Sequence, residues 1–117
     1  MQTRTFVAVL AVLGLLASCA QLDPHPMDMS QAVRSAKTSA DHEALAKHYE
    51  DEAKRMQAKL QEHKKMFEQY EAERQYYGRQ GLDMETHCRG LIRLYEQAVE
   101  INMNMAASHR KMAADAK

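Results

Sequence analysis

From His42 to Tyr77 apolar and aromatic residues recur at alternating four- and three-residue steps: His42, Ala46, Tyr49, Ala53, Met56, Leu60, His63, Phe67, Tyr70, Arg74 and Tyr77. A repeat of this kind draws one stripe of side chains along a helix and lays it against a partner helix. Thr38 or Ser39 supplies an N-cap, and Asp41 brings a negative charge to the positive end of the first turn. No glycine or proline follows until Gly78, so a helix is predicted over about residues 38–77, on the order of 60 Å long. Gly78-Arg79-Gln80-Gly81-Leu82-Asp83 predicts a reversal over residues 78–83, with Asp83 as the next N-cap. A second helix is predicted over about residues 84–116. Its stripe is Met84, Leu91, Ala98, Met105 and Met112, with His87, Leu94 and Ile101 on one side and Cys88, Tyr95, Asn102 and His109 on the other.

A short turn makes consecutive helices antiparallel neighbours. Facing Tyr77 with Met84 brings Tyr70 near Leu91, Phe67 near Leu94, Leu60 near Ile101, Met56 near Met105, Ala53 near His109 and Tyr49 near Met112. The expected fold is all-α, a long antiparallel two-helix hairpin of coiled-coil type. Two helices cannot enclose a core, and the apolar face of the second is wider than one seam needs. A homodimer closing into a four-helix bundle is therefore expected. Composition agrees: Trp is absent, and there are only four Gly and two Pro in 117 residues. Sixteen basic residues balance sixteen acidic ones. No clustered basic face suggests nucleic acid as a partner.

The chain opens with Arg4 and the apolar run Phe6 to Ala17. That run is shorter than the roughly 20 residues a bilayer crossing requires, and so predicts a signal peptide over residues 1–18. Leu16-Ala17-Ser18-Cys19 follows, and it resembles the lipobox of bacterial lipoproteins. The resemblance covers these four residues and the run before them. It implies cleavage before Cys19 with lipid carried on that cysteine, palmitate included. Ala20 at the next position implies sorting to the outer membrane, with the mature chain facing the periplasm. Multiple acyl chains hold where a single one binds reversibly. Ordinary secretion, with Ser18 and Ala20 as the small residues before a cut at Gln21, is the other reading of this stretch.

Residues 19–37 carry Pro24, Pro26 and short polar side chains, the composition of a tether; residues 38–117 form the hairpin domain. Within the tether His25, Met27 and Met29 offer one imidazole and two thioethers, a set that suits Cu(I), beside the plainer reading as linker. On the hairpin, His63 points inward near the middle and is a candidate ligand for a metal or haem, beside a role in fixing register. His48 and Glu52 share a face four residues apart, and the expected register brings His109 level with them. Two imidazoles and a carboxylate suit zinc or copper, while Arg55 and Lys59 offer Glu52 ordinary charge pairing. After processing, Cys88 is the one remaining thiol. It is expected as a small buried hydrophobe, with an intermolecular disulfide or a Cu(I) site with His87 or Met84 as alternatives.

The strong metal motifs are absent, and no serine, histidine and acid stand at useful spacing for catalysis. The expectation is a protein that is not an enzyme. A structural or interaction lipoprotein meeting a periplasmic protein is the first reading, and a copper, zinc or haem binding bundle the second.

Overall fold

A computed structural model of the chain describes residues 27–116. Residues 1–18, read above as a signal peptide, the lipobox-like stretch ending at Cys19, and His25 lie outside the described residues. Among these residues there are three helices and no strand: α1 (Met29–Ser35), α2 (Ser39–Ala72) and α3 (Arg74–Asp115). The chain divides into two units, Met1–Ser30 and Gln31–Lys117, and both long helices belong to the second. No described helix is long and apolar enough to cross a membrane.

The stretch 29–35, expected as tether, is helical. Its residues are good helix formers, Arg34 sits in the last turn where the dipole favours a cation, and none of them is buried. Thr38 caps α2 as expected, in a complete capping box. Its hydroxyl accepts from the Asp41 amide at 3.1 Å. The Asp41 carboxylate accepts in return from the amides of Thr38 at 2.9 Å and Lys37 at 3.0 Å. Those two backbone donors hold the Asp41 carboxyl down at about 2.

The reversal is much tighter than six residues. α2 closes at Glu73 (φ −102°, ψ 20°), the chain is helical again from Arg74, and within α3 Gly78 alone leaves helical geometry. Gly78 stands at φ 55°, ψ −134°, close to the first central position of a type II′ turn, which a residue bearing a Cβ enters only with strain. Gly81, expected in the turn, is instead a buried helical residue. A Cβ there would stand 2.8 Å from Tyr77 Cβ, so this glycine serves close approach and not reversal. Asp83 accordingly lies inside α3 and caps nothing.

Two substitutions separate these roles. Gly78→Ala is expected to cost roughly 1–3 kcal/mol because of its backbone angles. Gly90 is helical with open space where a Cβ would stand, so Gly90→Ala should stabilise by about 0.5–1 kcal/mol. Urea midpoints of the two variants check both signs.

On α2 the core falls where the four-three stripe puts it: Ala46, Ala53 and Leu60 are buried, Tyr49, Met56, His63, Phe67 and Tyr70 half-buried, and Leu45 joins them beside Ala46. α3 is rotated from expectation by about one residue step, on the order of 100°. Its seam is Gly81, Glu85, Cys88, Ile92, Tyr95, Val99, Asn102, Ala106, His109 and Ala113, all buried or half-buried. The stripe expected inside is mostly outside. Leu94 and Ile101 are each 60% exposed, and Met84, Met105 and Met112 are exposed as well, while Leu91 and Ala98 are half-buried at the border.

The small side chains explain the choice of face. Gly81, Cys88, Ala106 and Ala113 let the helix axes approach, and the large aromatics of α2 fill the space between. The register moves by about one turn, because the reversal uses one non-helical residue instead of six. Tyr95, not Ile101, meets the middle of α2, stacking on His63 with centroids 5.4 Å apart. Phe67 lies under the Arg89 guanidinium at 5.3 Å and not against Leu94.

Candidate functional site

The seam of α3 carries several polar residues; Glu85 finds its neighbour at the tip, Tyr95 and His109 find theirs on α2, and Asn102 donates to the Ala98 carbonyl of its own helix at 2.8 Å. At the open end, opposite Gly78, His109 is only 7% exposed. The shifted register delivers it to His42 and Tyr49 and not to His48 and Glu52. Its Nδ1 lies 3.2 Å from His42 Nδ1, and its ring stacks on Tyr49 with centroids 5.6 Å apart and planes 7° from parallel. The His42 and His109 centroids are 5.5 Å apart. Two imidazole nitrogens at hydrogen-bond distance need one proton between them, so one ring donates and the other accepts. Around the pair, Arg110 of α3 bridges to α2, donating to Glu43 at 2.9 Å and to Glu50 through Nε at 2.9 Å. These ions are largely solvated and add little beyond register.

Burial, and then the neighbouring His42, lower the pKa of His109 below its ordinary value. The unfolded chain, whose histidine titrates near 6.5, takes up the proton first as the pH falls, so it binds more protons than the folded chain and stability drops. The hairpin should therefore keep its full stability above about pH 6.5 and lose it progressively as acid carries His109 down through its lowered pKa. Melting temperatures at pH 8 and pH 5 measure the loss, and His109→Phe should reduce that slope.

His48 and Glu52 take other partners. His48 meets the edge of its neighbour Tyr49 at 5.5 Å, and Glu52 pairs with Arg55. Among the described residues no three of His, Cys, Asp and Glu come together in a way that could hold a metal ion. His63 does point inward as expected. It stacks on Tyr95, and its Nδ1 is buried without a hydrogen-bond partner among the described residues.

Cys88 is buried against α2 as a free thiol, and desolvation raises its pKa, which suits a small core residue and suppresses the thiolate. Nothing about its placement offers the sulfur to a second chain or to a shared ion with His87, which is exposed.

At the tip, Glu85 is 4% exposed and takes a two-pronged hydrogen bond from Arg74, Nε to Oε1 at 3.1 Å and Nη2 to Oε2 at 3.0 Å. The carboxylate raises the Arg74 pKa. This pair was not singled out from the sequence. Its one visible signal is Arg74 at a stripe position of the repeat from His42 to Tyr77, where an apolar residue would be expected.

The remaining feature is the outward face of α3. Met84, His87, Leu91, Leu94, Ala98, Ile101, Met105, Ser108 and Met112 follow each other at three- and four-residue steps, parallel to the inner seam. Five of these side chains, Met84, Leu94, Ile101, Met105 and Met112, are large, apolar and exposed. No protein-family model matches this sequence, and no curated protein or solved structure matches it either.

Proposed function

We propose that the chain is a lipid-anchored protein of the outer membrane, facing the periplasm, whose hairpin serves as a structural or interaction module and carries out no catalysis. The exposed apolar stripe of α3 carries the interaction half of this reading. Side chains such as Leu94 and Ile101 at 60% exposure are tolerated singly on a surface, but Met84, Leu94, Ile101, Met105 and Met112 stand exposed along one face of the helix, and such a row marks a contact site. Photocrosslinking in cells tests it. A benzophenone side chain at Leu94 should give a protein adduct that the same group at Lys65, exposed on α2, does not; equal, background-level labelling at both sites overturns the reading. The lipobox at Cys19 carries the anchor, and a palmitate analogue should label the parent chain and not Cys19→Ala.

A second reading is the binding of copper or zinc, and the facing nitrogens of His42 and His109 favour it. Here His109 of the expected group keeps a role, whereas His48 and Glu52 do not, and His63 stands apart beside Tyr95. Metal analysis of protein purified from the periplasm tests it: a stoichiometric copper or zinc, lost in His42→Ala, supports the reading, and none overturns it.

A further inference from the structure

We infer that the outward stripe of α3 is the interface of a two-fold symmetric dimer, in which α3 lies antiparallel to α3 of a second copy about an axis near Ala98. The inference rests on reading the hairpin as an interaction module, and it names the partner. A two-fold interface uses the same patch twice, so the patch must complement itself when reversed. Taken from its ends towards Ala98, the stripe does so: Met84 matches Met112, His87 matches Ser108, Leu91 matches Met105 and Leu94 matches Ile101. Apolar positions fall on apolar ones, and the two polar positions fall on each other.

Charge decides the direction. Asp83 and Lys111 flank the two ends of the stripe, are exposed, and have no ion-pair partner among the described residues. Antiparallel pairing sets Asp83 beside Lys111 of the partner subunit at both ends, whereas parallel pairing keeps the two charges at opposite ends of the interface, with no partner for either. Shape decides the extent. The flanks of α2 are polar on both sides of its seam, with Glu52, Arg55 and Lys59 on one and Lys47, Lys54 and Lys64 on the other. α2 therefore has no second seam to offer, and a square bundle with every helix between two neighbours is not formed. The dimer is two hairpins joined through α3 alone.

Disulfide trapping of the full chain in its own membrane tests this, in a Cys88→Ala background. Ala98→Cys should convert most of the chain to a species of twice the mass under mild oxidation. Met84→Cys alone should give none, and Met84→Cys with Met112→Cys should give it again. Leu94→Glu, at an exposed position, should abolish the Ala98→Cys product while helix content is unchanged. No product from Ala98→Cys overturns the dimer, as does a product of another mass, which would mean a different partner. A product from Met84→Cys alone overturns the antiparallel arrangement. Failure of the anchor is read separately, by whether the Cys88→Ala parent takes up the palmitate analogue, which the crosslinking result does not affect.

Discussion

Leu45→Ala should cost the hairpin about 2–5 kcal/mol, the range for emptying a buried leucine site that can only partly collapse. Leu45 is 1% exposed, the most deeply buried large side chain among the described residues. A domain of this size has only about 5–15 kcal/mol of total stability, so the variant should sit close to unfolding at physiological temperature. Each kcal/mol lowers the melting temperature of a 60–100-residue domain by roughly 4–8 °C. The informative comparison is with Leu94→Ala, the same chemical change at a site 60% exposed. At high dilution, where no second copy is bound, it should cost less than about 1 kcal/mol, as surface changes generally do. At higher protein concentration its cost should grow, because binding to the native state stabilises by mass action and the variant forfeits that term. Thermal melts of both variants across a wide concentration range measure the contrast.

Arg74→Ala should destabilise the hairpin, by less than the loss of one partner from a fully buried pair because Arg74 itself is about half solvated. The loss has little to do with the attraction forgone. Glu85 is buried, and without the guanidinium its two oxygens lose both hydrogen bonds at a place where water reaches poorly. Removing both charges together, as Arg74→Met with Glu85→Leu, should recover most of the stability, since no unpaired charge is then left at the tip. A double-mutant cycle by urea denaturation gives the coupling directly, and additive single-variant costs would show that the pair does not act as a unit.

Half of the fold was legible along the chain because half of it follows a single rule. α2 has one apolar stripe on an otherwise charged surface, so its buried face, its start at Thr38 and its continuity are all visible in residue order. α3 has two stripes side by side. The one rich in leucine and methionine is the more hydrophobic, yet the helix turns the other inward. Glycine, alanine and cysteine there permit close approach, and of the polar residues Tyr95 and His109 find partners across that seam while Glu85 finds Arg74 at the tip. Hydrophobicity alone ranks the stripes in the wrong order.

The candidate site inherits this. His109 was rightly placed near the open end, but a reversal of one non-helical residue instead of six moves the register by about one turn. That brings His109 to His42 and Tyr49 and leaves His48 and Glu52 to local partners. Two glycines three residues apart look alike in a sequence. Only backbone geometry shows that Gly78 makes the turn while Gly81 admits Tyr77.

The facing of α3 can be measured directly by maleimide labelling followed through peptide masses, with native Cys88 reporting on the inner seam and Leu94→Cys, in Cys88→Ala protein, on the outer one. Cys88 should label slowly at every protein concentration, and the cysteine at position 94 should pass from protected to rapidly labelled as the protein is diluted. If Cys88 labels as fast as that cysteine, or if position 94 stays protected at the greatest dilution, the two-seam arrangement of α3 is contradicted.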